Sequence, residues 1–187
     1  MRHGAWSMLG AVGVLLLTSG CVAIEAGHEG VMVEQPFFFG HGGVDPAPSK
    51  TGRVWVAPTT KVIEVDVRPL QYSEHFDIIS AENAPVSFDA FMIANVVESR
   101  SPELISRYGP NWYQNNVKEA FRTFVREEVQ RYPLFQLTTD PTTRTKLQDA
   151  IAREVQNKLI DKQNMPIRLN RVVVGSILPP KGVVEQT

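Results

Sequence analysis

A metal centre or an acid–base site in this chain of 187 residues would have to draw on His28, His41 and His75, and on acids such as Asp66, Glu82 and Asp89. A zinc-binding helix presents histidines at i and i+4, most often within H-E-x-x-H, and none of these histidines has such a neighbour. They read as exposed histidines of separate loops. Asp66, Glu82 and Asp89 have the chemistry for paired-carboxylate catalysis, but acids on strands and turns ordinarily make a solvated face. Phe39 to Gly43, "FGHGG", is glycine-rich yet matches neither a phosphate-cradling nor a dinucleotide-binding pattern, and reads as a flexible turn. No serine sits in a G-x-S-x-G elbow. The chain therefore reads as a non-enzyme that calls for no cofactor and no metal.

The single cysteine, Cys21, is the most informative reactive side chain. One cysteine excludes an internal disulfide and any C-x-x-C metal site. It follows a positive Arg2, an uncharged apolar run from Met8 to Leu17, and the small residues Thr18, Ser19 and Gly20. That is the composition of a secretory signal peptide, here residues 1–20. A cysteine placed directly after such a segment resembles the lipobox of bacterial lipoproteins. The resemblance implies that Cys21 is diacylated, becomes the mature N-terminus and is acylated again on its amine. Two other readings stay open. Ala5 to Ile24 has about the length of a spanning helix and would serve as an uncleaved anchor, and a lone cysteine can be a small buried hydrophobe. Either membrane reading places the remaining chain at a membrane, and the lipoprotein resemblance implies the bacterial cell envelope on the periplasmic side, with inner and outer membrane undecided. One acyl chain holds a protein only marginally, at about 0.8 kcal/mol per buried CH2, whereas two or more hold it firmly.

Composition fits a folded domain, 43% hydrophobic and 21% charged, and 19 Lys+Arg nearly cancel 20 Asp+Glu. Without a basic field or a basic patch interleaved with aromatics, a nucleic-acid partner is not expected.

The elements that must position these residues follow from period and punctuation. After a short lead-in, Val31 to Val33 reads as a strand, and the glycines and prolines from Pro36 to Pro58 mark a loop-rich connection enclosing a short strand at Arg53 to Val56. Lys61 to Val67 alternates as a half-buried strand. Phe76 to Ser80 and the long run Pro85 to Val97 follow, the latter with Val86, Phe88, Ala90, Met92, Ala94 and Val96 on one face. From Ser101 the period becomes helical. Ser101-Pro102 opens a short helix closed by Gly109, with Ser101 as its capping residue. A long helix from Pro110 to Arg131 carries an apolar stripe through Val117, Phe121, Val125 and Val129. Asp140-Pro141 caps a second long helix to Lys162, and Pro166 to Leu178 is a returning strand. Strands, then helices, then a strand make an α+β domain.

Several of these pieces, in order, resemble the SPFH or band 7 domain of stomatins, prohibitins and flotillins. Gly27 to Val31, "GHEGV", resembles its opening strand; Gly52 to Pro58 resembles its following turn and strand; Val62 to Arg68 resembles its "VDVR" strand. "SAENAPVSFD", Ser80 to Asp89, and the closing "IRLNRVVVGSILPP" complete the series, which spans residues 27–180. Met165-Pro166 stands where the family usually has a glycine, and the chain reaches Thr187 without the family's coiled coil, leaving 181–187 as a tail and residues 21–26 as a lipidated tether. The resemblance implies an SPFH/prohibitin-like fold, a curved and mostly antiparallel sheet with two long helices packed on it. It implies a membrane-anchored scaffold that self-associates as a homo-oligomer and organises or regulates membrane proteins, with a membrane protease as one such partner. The alternative is a monomeric envelope lipoprotein that docks one partner. Phe37, Phe38 and Phe39 cannot all point inward from a strand, since neighbours alternate faces. They form either a core edge covered by the next loop or a contact with lipid headgroups or a partner. Trp55, Trp112 and Tyr113 are expected to pack in the core.

Overall fold

The computed structural model describes residues 20–177 apart from 39, 41 and 49, in two units: 20–67 with 98–110, and 68–97 with 111–177. The expected signal peptide up to Ser19, Phe39, His41 and the tail beyond Ile177 lie outside the described residues.

In the first unit, short alternating runs pair as antiparallel strands. β1 (Gly20–Ile24) pairs with β4 (Gly52–Val56), and β2 (His28–Glu34) lies between β3 (Gly43–Val44) and β5 (Thr60–Asp66). Residues 21–24, expected as part of a tether, are thus a strand. Val22 and Ile24 turn inward with Val54 and Val56 of β4, and their burial gives the segment a reason to pair. Ile24 is the pin of this ribbon. It is buried over Gly30 of β2, where an added Cβ would lie only 2.5 Å from Ile24 Cδ1 and 3.3 Å from Val62 Cγ1. Close approach of another side chain is what requires glycine at this strand position.

The same β2 holds α1 (Ser101–Tyr108) through Glu29. The buried Glu29 carboxylate accepts the Ser99 backbone N–H at 2.7 Å and the Ser101 hydroxyl at 2.5 Å. Ser101 is therefore not the capping residue expected. It is the first helical residue, the cap position is Arg100 with no side-chain cap bond, and an anion from a distant strand sits at the positive end of the helix. Ser99 adopts a positive φ of 64° to aim its N–H there. Gly109 closes the helix with φ 75°, as expected.

In the second unit, β6 (Leu70–Ile79), β7 (Pro85–Val96) and β8 (Ile167–Val174) form an antiparallel sheet in that order. Its inner face carries Phe76, Ile78, Val86, Phe88, Ala90 and Met92, and the helices cover it. α2 (Lys118–Val129), the short α3 (Leu134–Thr139) and α4 (Pro141–Glu154) supply Phe121, Val125, Leu137, Leu147 and Ile151, all fully buried. Phe121 meets Phe76 edge-on, with ring centroids 6.4 Å apart. Asp140 caps α4 as its sequence implies, accepting from the Thr142 N–H at 2.9 Å.

Two differences from the expected helices share one cause. Tyr113–Val117 ahead of α2 and Val155–Asp161 after α4 are π-helical. Buried residues spaced strictly by four, Tyr113-Val117-Phe121-Val125-Val129 and Leu147-Ile151-Val155-Leu159, overshoot a 3.6-residue turn. The wider π turns take up the excess and keep each series on one face. At the turn before β8, Asn164 takes the left-handed conformation, φ 48°, that a glycine often supplies.

The fold is thus α+β with every strand pairing antiparallel among the described residues, its strands shared among separate sheets and its long helices packed on one of them. β6 begins six residues before the expected Phe76. The buried position of its first half is filled by Glu74, a polar residue that hides the alternation. Arg122 Nη1 at 3.0 Å, Lys118 Nζ at 3.2 Å and the Tyr113 hydroxyl at 3.2 Å satisfy that carboxylate. Burial, and then the adjacent Glu74 charge, push the Tyr113 hydroxyl well up, so it stays a donor. Tyr113 and Trp112 are buried as expected, with Tyr72 stacked on Tyr113 at 4.1 Å.

Candidate functional site

Cys21 is exposed, one residue into β1. Its register partner on β4 is Trp55, and the next pair on the same face is Ala23 with Arg53. Residues directly opposite in an antiparallel pair share a face, with Cβ atoms about 5 Å apart. One side of the ribbon is therefore Val22, Ile24, Val54 and Val56, turned inward. The other is Cys21, Ala23, Arg53 and Trp55, all exposed. Trp55, expected in the core, is 73% exposed, because alternation in β4 gives the inward positions to the two valines.

Phe37 and Phe38 lie in the loop after β2 and are 77% and 91% exposed, so neither forms a covered core edge. Phe37 borders a shallow cleft of about 150 Å³ with Pro58 and Lys61. Cys21, Trp55, Phe37 and Phe38 all belong to the first unit.

His28 and His75 lie on strands and not on loops, and His41 is outside the described residues. His28, on β2, is opposite Asp66 of β5, with Nε2 and Oδ2 3.8 Å apart. His75, on β6, is opposite Asp89 of β7 and shares a 2.8 Å hydrogen bond with it through Nδ1. Asp77 Oδ2 and Ser87 Oγ are each 3.5 Å from His75 Nε2. Serine, histidine and aspartate thus stand in the sequence of contacts of a hydrolytic triad. The hydrogen bond that the ring donates to Asp89, reinforced by the charges of Asp77 and Asp89, raises the imidazole pKa above its ordinary 6.5. With His75 and Asp89 both open to water, the cluster is a solvated charge group on a sheet face. Glu82 is exposed in the turn between β6 and β7. Among the described residues, no three His, Cys, Asp or Glu side chains converge to hold a metal ion, and no helix is long and apolar enough to cross a membrane.

The juxtaposition of Trp55 and Cys21 is the candidate feature that was not expected from the sequence. Its signal was present in Cys21-Val22-Ala23-Ile24, an alternation of exactly the kind used for the other strands, set too close to the apolar leader to stand out.

The sequence profile of the SPFH domain / Band 7 family matches residues 22–187, starting one residue after Cys21. No curated protein matches the sequence.

Proposed function

Since this chain belongs to the SPFH domain / Band 7 family, whose members are generally membrane-associated, non-enzymatic scaffolds, we propose that it is a lipid-anchored scaffold of the bacterial envelope. Cys21 carries the lipid, the folded part self-associates on the periplasmic side of the membrane, and the assembly organises or regulates neighbouring membrane proteins, proteases among them. The observation that carries this reading is the position of Cys21. It is the sole cysteine, it follows an apolar leader, and it is exposed on β1. Phe37 and Phe38, solvent-facing in the same unit, supply a further contact with membrane or partner.

Two measurements on protein extracted from membranes in detergent test the proposal. The mass of the N-terminal peptide should show Cys21 as the first residue with its acyl groups attached. A peptide starting at Met1 with an unmodified Cys21 refutes lipidation. The mass of the intact complex should correspond to many subunits, whereas a monomer refutes self-association and leaves a docking lipoprotein. Replacing Phe37 and Phe38 with Ser should weaken membrane or partner association without loss of helical circular dichroism. An unfolded variant would show that the rings support the fold instead.

A further inference from the structure

The outward face of the β1–β4 ribbon carries three features that fit one kind of partner. Trp55 is an amphipathic aromatic ring left 73% exposed, although its neighbours Val54 and Val56 turn inward. Arg53, two residues away on the same face, is a cation on a flexible stem. Cys21 is paired directly with Trp55, and the chain that reaches it arrives from the apolar run Met8 to Leu17. Tryptophan concentrates at the boundary between hydrocarbon and headgroups, where its ring is dry on one side and its N–H finds a polar partner. Arginine extends its stem along apolar surface and keeps its charge among phosphates. From this arrangement we infer that the Arg53–Trp55 face lies against the lipid bilayer surface. Trp55 occupies the glycerol and headgroup zone beside the Cys21 anchor, and Arg53 meets lipid phosphate.

The inference rests on the anchoring proposed above and adds an orientation to it. A lipid on Cys21 alone leaves the domain free to swing. Because the opposed Cβ atoms of Cys21 and Trp55 are about 5 Å apart, any anchor that brings Cys21 to the membrane brings the indole with it. On the ribbon's other side Ile24 is buried and Val22, Val54 and Val56 are half-buried, so the side of Arg53 and Trp55 is the one that presents its residues openly to the bilayer. A bilayer is favoured over a protein partner by continuity, since β1, which pairs with the strand bearing Arg53 and Trp55, is itself the continuation of the apolar leader. The same face makes the contact whether Cys21 is acylated or the leader is retained as an anchor.

The test uses full-length protein purified from membranes and reconstituted into phosphatidylcholine vesicles containing about 30% phosphatidylglycerol, which gives the surface the negative charge that attracts Arg53. The phosphatidylcholine is brominated either near the headgroup or deep in the acyl chain, and bromine quenches tryptophan by contact. The difference between wild type and Trp55→Phe isolates Trp55 from Trp112, which is buried in protein, and from Trp6 where the leader is retained. Expected is strong quenching of that component by shallow bromine, weak quenching by deep bromine, and loss of the quenching in Arg53→Glu. Circular dichroism confirms that both variants fold. A Trp55 component that bromine does not quench overturns the inference: red emission would then mean water, and blue-shifted emission a covering protein surface. Retention of the protein on vesicles through an alkaline carbonate wash separates the two ideas. Protein that stays bound with Trp55 unquenched refutes the orientation alone, whereas protein that washes off refutes the anchoring and the orientation together.

Discussion

Replacing Gly30 with alanine probes how the β1–β4 ribbon is fastened to the rest of its unit. The new Cβ would stand 2.5 Å from Ile24 Cδ1, 3.1 Å from Ile24 Cγ1 and 3.3 Å from Val62 Cγ1. Ile24 must leave its rotamer or lift β1, and overpacking of this order costs about 1–3 kcal/mol. Alanine in a strand recovers about 0.5–1 kcal/mol of the backbone freedom that glycine loses on folding. The expected net destabilisation is about 1–2 kcal/mol. The decisive comparison is with Ile24→Ala, which removes both clashing atoms and by itself should cost about 2–5 kcal/mol, because Ile24 is 4% exposed. In that background Gly30→Ala fills part of the space vacated and should be neutral or stabilising by about 0.5 kcal/mol. A double-mutant cycle by urea unfolding, followed by far-ultraviolet circular dichroism, measures the coupling, expected at about 1.5–2 kcal/mol. If Gly30→Ala costs the same with and without Ile24, close approach is not why glycine stands there, and the ribbon is not pinned as described.

Glu29→Ala should release α1 from β2. Losing two hydrogen bonds to a buried carboxylate and stranding the Ser99 N–H is expected to cost about 3 kcal/mol in the same unfolding measurement, with hydrogen exchange accelerated across residues 99–108. A change below about 0.5 kcal/mol would refute the latch. The His75 imidazole should titrate above 6.5 by NMR, and Asp89→Asn should bring it back towards 6.5, since the Asp89 hydrogen bond is the largest cause of the shift. A folded-state pKa raised above the unfolded value means that the contribution of this pair to stability is fully present below pH 6.5. It is lost as pH rises through the folded-state pKa. A His75 midpoint unmoved by Asp89→Asn would refute this assignment.

Much of the architecture is set by near neighbours in the chain and is legible there. Alternation in Lys61 to Val67 and Pro85 to Val97 marks β5 and β7, and Gly109 and Asp140-Pro141 punctuate helices as their chemistry requires. The apolar stripe Val117-Phe121-Val125-Val129 foretells the buried face of α2, although not the π turn that its spacing of four demands. The order of such pieces was sufficient to bring out the resemblance to a family whose profile then matches residues 22–187. Cys21 too is read from local context alone, from the residues just before it.

What the tertiary structure decided depends on partners far away in sequence. Glu74 breaks the apolar pattern of β6 because its counter-charges come from Lys118 and Arg122 on a helix, and no local rule pairs them. Glu29 is buried because Ser99 and Ser101, 70 and 72 residues on, need an acceptor. His28 and His75 read as loop residues because strand pairing, which sets each opposite an aspartate, is not written in either strand alone. Trp55 is the plainest case. Period two says that Trp55 and Arg53 share a face and that Val54 and Val56 share the other, but both faces hold apolar side chains and the sequence does not rank them. Only the pairing of β4 with β1, which packs Ile24 over Gly30, turns the valines inward and leaves the indole outside against Cys21. Parity is a property of one strand; the face that is buried is a property of what packs on it.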